Sequence, residues 1–262
     1  MTARMAEEMW NDGEMIARSF VLSYLPNVDY PLNLIQVAVA IDTKFDIDVI
    51  IRECDCVPRE ITAQLACSDW IALILVNCFH PENKKRFGIA HEFGHLLLEH
   101  QHGNPYPGYK EPDQEKDEAN SFAAALLMPS NHVDFLAKRY SDSLINLVQK
   151  IATSFRVSIE AAARRLASTD YIPGLFALVD QNLGRLDWEY HSPSISLDRE
   201  AFREFLVRYF VQPMKREDDL EIMGYPFKIE VKRIWGKFLL SCVPYTIGIH
   251  CDRETVAGYG GK

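Results

Sequence analysis

Hydrophobic positions along the chain repeat with two periods, and the order in which those periods alternate predicts the architecture. Ala6 to Tyr24 carries a helical repeat, and Pro31 to Ala40 starts a second, short helix that packs near it as a lid or platform. Three apolar runs follow, Ile47 to Ile51, Glu60 to Ala66 and Trp70 to Val76, each bounded by turn residues, and these read as strands. Trp70 to Val76 is continuously apolar, which suits either an exposed edge bordering a cleft and pairing with an extended peptide, or a strand covered on both faces. From Phe87 to Leu98 the period lengthens again, and Ala90, Phe93, Gly94, Leu97 and Leu98 fall on one helical stripe. A second helical segment, Glu118 to Met128, aligns Ala119, Phe122, Ala123 and Leu126 and stops at Pro129, which cannot continue a helix.

Leu147 to Leu166 holds two helical runs that resemble a helix-turn-helix unit, with Ser158 as N-cap of the second. Beyond Tyr171 the pattern changes. Leu175 to Val179 and Leu186 to His191 flank polar turn residues and predict a hairpin. Asp198 to Phe210 is an amphipathic helix, and Phe227 to Val231, Phe238 to Val243 and Thr246 to Ile249 are further strands. The predicted fold class is α+β: a small sheet packed on the helix that follows it, a helical middle segment, and a C-terminal α+β module. The corresponding boundaries are residues 1–135, 136–170 and 171–262.

Composition narrows this picture. With 48% hydrophobic and 25% charged residues the chain has the balance of a globular protein. A net charge of -9 opposes general affinity for nucleic acid. Locally, Lys138 to Arg165 carries six basic and two acidic residues, a surplus that suits DNA or an acidic protein surface. A helical hairpin completing the core is the favoured alternative. The start, Met1 to Asp12, lacks the basic and apolar regions of a signal peptide, and Trp70 to Val76 is too short to span a bilayer, so a cytoplasmic location with no membrane association is expected. Six scattered cysteines, Cys54-Asp55-Cys56 among them, read as reduced thiols.

The chemistry is concentrated in His91-Glu92-Phe93-Gly94-His95. Residues four apart share a helix face, so both imidazoles converge, and the glutamate between them can take a proton from water activated by a metal. Leu98 and Gln101 stand where a metzincin needs glycine and histidine, which excludes that class. His100 and His102 do not close the site unless the helix has ended before them. Glu111, Asp113, Glu115 and Asp117 lie in a stretch that reads as a loop, so Glu118, on a helix with small neighbours, is the expected third ligand. His100, His102, Tyr106 and Tyr109 are candidate donors to an oxyanion, none of them assigned.

Arg86 to Leu98, followed by Glu118-Ala119-Asn120-Ser121-Phe122-Ala123-Ala124-Ala125-Leu126-Leu127-Met128-Pro129, resembles the ImmA/IrrE family of gluzincin-like peptidases. The resemblance implies zinc held by His91, His95 and Glu118, with Glu92 as general base; manganese or iron also suits this ligand set. It further implies cleavage of a helix-turn-helix repressor that silences stress-response or mobile-element genes. Two other functions compete with this one: a zinc-bound, antitoxin-like module that sequesters the repressor without cutting it, and a DNA-binding regulator. A sensory role for the C-terminal module occurs in the family, but no residue motif here carries it.

Overall fold

A computed structural model describes residues 3–100, 111–140, 143–169, 174–180, 185–192, 195, 200, 202, 204, 219–222, 225–234 and 237–244. They fall into two compact units, Met1–Thr169 and Asp170–Lys262. The architecture is mixed α+β, with seven helices and two sheets among the described residues.

In the first unit, α1 (Ala3–Tyr24) and α2 (Leu34–Phe45) precede the small sheet. The α2 helix begins later than the repeat predicts, because Asn33 caps it by accepting a hydrogen bond from the Ile35 amide at 3.0 Å. The sheet comprises β1 (Asp48–Cys54), β2 (Ala63–Cys67) and β3 (Ile71–Asn77) in the order β1-β3-β2. β3 runs parallel to β1 and antiparallel to β2, with Leu65 opposite Ile74. The continuous apolar run is therefore the middle strand, and the outer strands among the described residues are its neighbours. β2 starts three residues later than the sequence suggests. Buried Asn77 donates to the carbonyls of Val57, Pro58 and Ile61 and holds the preceding residues in a turn. Cys54 and Cys56, expected as reduced thiols, form a disulfide; their Cα atoms are 5.4 Å apart, within the span such a bridge requires.

The α3 helix (Glu82–Leu97) packs on this sheet, burying Ala90, Phe93 and Leu97. α4 (Asp113–Leu127) lies against both α1 and α3. It starts five residues before the predicted Glu118. Of the acidic stretch that reads as a loop, Glu111 precedes the helix and the rest lies within it, Asp113 and Glu115 in the first turn, where the positive end of the helix dipole favours them. α5 (Ser130–Arg139), α6 (Leu144–Phe155) and α7 (Ile159–Ser168) complete the unit. Ser158 caps α7 as expected, accepting from the Ala161 amide at 3.0 Å. Arg165 on α7 is buried; it donates to both carboxylate oxygens of Glu14 at 2.8 and 2.9 Å and to the Met128 carbonyl at 3.0 Å.

The second unit is an antiparallel sheet of β4 (Leu175–Asp180), β5 (Arg185–His191), β6 (Asp219–Ile222), β7 (Tyr225–Ile234) and β8 (Lys237–Pro244), in the order β5-β4-β8-β7-β6. The hairpin is present as predicted, with Asp180 paired to Arg185 at its closed end. Leu175, Ala177, Val179, Phe202, Leu240 and Cys242 form its core. Most of the expected helix Asp198–Phe210 and all of Thr246–Ile249 lie outside the described residues. No described helix is long and apolar enough to cross a membrane.

Candidate metal centre

The α3 and α4 helices approach closely because small residues face one another. A Cβ on Gly94 would stand 3.0 Å from the Ala119 Cα and 3.1 Å from its carbonyl oxygen. That proximity places α4 side chains beside the histidines. The Nε2 atoms of His91 and His95 are 3.1 Å apart, so the one-turn spacing does converge them. Glu111, just before α4, brings Oε1 to 2.8 Å from His95 Nε2 and 3.3 Å from His91 Nε2. These three residues could hold a metal ion.

The opposite ring nitrogens are also engaged. His91 Nδ1 lies 3.1 Å from Asn120 Oδ1, and since that oxygen only accepts, His91 carries its proton on Nδ1 and turns the Nε2 lone pair inward. His95 Nδ1 lies 2.8 Å from His100 Nδ1, and His100 Nε2 donates to Glu118 Oε2 at 2.8 Å. Glu118 thus reaches the histidines through His100, while its Oε1 accepts from Gln114 at 2.9 Å. His95, His100 and Glu115 form a second, overlapping group with ligand-type atoms close together.

His100 reaches this position because the helix has ended. Glu99 adopts a left-handed conformation, φ 55°, and the His100 amide donates back to the His95 carbonyl at 3.1 Å. A glycine usually marks such a stop, and none is present, so the sequence carried no sign of it. Asn120 was likewise overlooked, although it stands two residues beyond Glu118 in the same motif.

Glu92 is buried, and the Leu65 amide of β2 donates to its carboxylate. Burial, reinforced by the charge of Glu111, pushes its pKa up to about 7, against the opposing pull of His91 and Leu65. Burial also disfavours charge on Glu111, yet the two imidazoles more than offset it and hold the carboxyl at about 2. Burial depresses His95, helped by the positive character of His91 and His100. For His91 the effect of burial is outweighed by Glu111 and Glu92, which raise its pKa.

The donor set fits zinc. Four-coordinate zinc with ligands at about 2.0–2.2 Å separates neighbouring ligand atoms by roughly 3.3 Å, close to the spacing of these three. Glu111 Oε1 is buried and turned toward the two Nε2 atoms, at 2.8 and 3.3 Å. Three lone pairs facing one point are stabilised by a cation.

Residues 47–167, from the start of the small sheet into α7, match the Peptidase_M78 family model, an IrrE N-terminal-like domain. That stretch is an ImmA/IrrE-family peptidase domain. No curated protein matches it significantly. A solved structure of a Mycobacterium tuberculosis transcriptional regulator shares the fold, with a TM-score of 0.58 at 16% identity, over 90% of this chain and 79% of that one. The family of the matched domain implies protease activity, and His and Glu groups that could hold a metal are present.

Proposed function

We propose that the protein is a zinc-dependent endopeptidase that cuts a helix-turn-helix transcriptional repressor and so derepresses stress-response or mobile-element genes. The observation that carries this reading is Glu92, buried beside two inward-facing imidazoles and held by the Leu65 amide. A pure binding module has no use for a carboxylate kept in that position. His91, His95 and a carboxylate from the segment Glu111 to Glu118 would hold the metal, with Glu118 the expectation from sequence. When bound, zinc supplies a Lewis acid for water and for the scissile carbonyl; manganese or iron is the substitute.

The chain's own residues do the rest. Glu92, buried beside the two histidines, stands where it can take a proton from water and return it to the departing amide nitrogen. The edge of β2 that carries the Leu65 amide faces Glu92, and an extended peptide laid along that edge would present its carbonyls beside the base. Residues 1–135 form the zincin-like peptidase domain in this reading, 136–170 a helix-turn-helix-like segment, and 171–262 a module that receives the signal. The site of action is the cytoplasm.

The repressor as substrate is supported by the family and by the fold shared with a transcriptional regulator. DNA reading through α6 and α7 is disfavoured, since Arg165 is committed to Glu14 and Met128. The test is to mix metal-loaded protein with helix-turn-helix repressors encoded beside it and identify fragments by mass spectrometry. Discrete fragments with wild type and none with Glu92→Gln are expected. An intact repressor that nevertheless releases its operator would replace cleavage with sequestration.

A further inference from the structure

We propose that Cys54 and Cys56 are a redox-active pair that exchanges with small thiols such as glutathione, and that the bond between them governs how firmly β2 is held beside Glu92. Only the consequence for catalysis rests on the metallopeptidase reading above.

The disulfide spans a single residue, Asp55. Closing so short a loop withdraws less conformational freedom from the open chain than joining distant segments does, so the bond contributes correspondingly less stability. Cys56, like Asp55, is exposed, where a thiolate in solution can attack it. An exposed disulfide closing a short loop belongs to the labile kind rather than the structural kind. In the exchange a small thiolate attacks Cys56 Sγ, the S–S bond breaks, and Cys54 leaves as a thiolate and is protonated. A second small thiol then displaces Cys56 from the mixed disulfide. The pair gains two electrons and two protons while two small thiols become one disulfide.

The pair lies at the head of the segment that leads to the base. Cys54 ends β1 opposite Asn77, and Cys56 directly precedes Val57, which is buried. The Asn77 side chain donates to the carbonyls of Val57, Pro58 and Ile61 at 3.0 to 3.3 Å, and its amide donates to the Thr62 carbonyl at 2.9 Å. Thr62 packs on α3, where a Cβ on Gly88 would stand 2.8 Å from its Cγ2. Ala63 then starts β2, and two residues on the Leu65 amide reaches the Glu92 carboxylate. Residues 57–62 therefore connect the cysteines to the base. With the bond closed, the start of this segment has a covalent anchor. With it open, hydrogen bonds to Asn77 and the burial of Val57 must hold the turn. Thiols in a reducing compartment form such a bond transiently, on oxidation, so the oxidised form is the one with Leu65 and Glu92 most firmly engaged.

The experiment places the full chain in glutathione buffers of graded oxidised-to-reduced ratio, with alkylation and mass spectrometry to follow the bond and amide hydrogen exchange to follow the segment. The Cys54–Cys56 bond should open and re-form reversibly across the series. In the reduced form, the Ile61 and Leu65 amides should exchange faster by roughly 10- to 20-fold, the factor expected for releasing a three-residue loop. Cys56→Ser should show the reduced-form exchange at every ratio, and Cys67→Ser and Cys78→Ser should keep the wild-type response. A bond that fails to form in oxidised glutathione, that resists reduced glutathione, or whose opening leaves Ile61 and Leu65 unchanged would overturn the proposal, as would loss of the response in Cys78→Ser. Repressor cleavage, measured in parallel, should be slower with the bond open; cleavage equal in both forms would overturn the link to catalysis. Absence of cleavage in both would overturn the peptidase reading, while the exchange result still decides the redox pair.

Discussion

At the scale of single residues, Glu92 and Glu14 lead to separate expectations. Replacing Glu92 by Gln keeps the shape of the buried site and removes the base, so zinc should remain at one per chain while substrate cleavage falls by about 10²- to 10⁴-fold; fragment yield against metal content checks this. Glu14 concerns stability. Its pKa is lowered chiefly by hydrogen bonding to Arg165, against a smaller opposing effect of burial. A carboxylate whose pKa is lower folded than unfolded contributes stability above its unfolded pKa, and that contribution fades as pH falls through the folded value. The melting temperature of Glu14→Gln should therefore sit below wild type near neutrality, with the gap closing as the solution is acidified below pH ~4. A constant gap across that range would mean the pair contributes through packing alone. The convergence of His91 and His95 was legible in sequence because helical spacing alone fixes it. His100 was not, since its contact depends on one non-glycine residue, Glu99, adopting φ 55°.

At the scale of elements, the site depends on how closely helices approach. A Cβ on Gly13 of α1 would come within 2.5 Å of the Glu118 carbonyl oxygen and 2.8 Å of the Phe122 amide nitrogen. Both obstacles are backbone, so α1 or α4 must shift. Gly13→Ala gains about 1 kcal/mol of helix propensity, but the forced displacement should outweigh it and leave a net loss of about 1–3 kcal/mol. The displaced segment carries Glu118 and Asn120, so zinc affinity should fall together with the midpoint of chemical denaturation. A variant as stable as wild type with unchanged affinity would show that α1 does not set the position of α4. Helix identities were legible because apolar stripes such as Ala119, Phe122, Ala123 and Leu126 persist over several turns. The start of α4 was not, because acidic residues next to prolines suit a loop and a helix N-terminus equally. The order of the small sheet was also hidden: an apolar run reveals burial, and a middle strand and a doubly covered strand read alike.

At the scale of the whole molecule, every described residue of the metal centre falls within Met1–Thr169, from Leu65 on β2 to Asn120 on α4. The last helix of that unit is tied to the first by the bidentate Arg165–Glu14 pair, and to the end of α4 by Arg165 and the Met128 carbonyl. No part of the described site draws on residues beyond Thr169. A chain ended after Thr169 should accordingly unfold cooperatively and bind one zinc with an affinity within a few-fold of the full chain, measured by thermal denaturation and chelator competition. If residues 171–262 receive a signal, as proposed, their removal should alter how cleavage is regulated while leaving the metal affinity in place. Loss of zinc from a folded fragment would place part of the site in the second unit. The core around Val37, Phe93, Phe122 and Leu147 is contained within the first unit, so retained folding is expected, and loss of folding would show that this unit needs the second for stability.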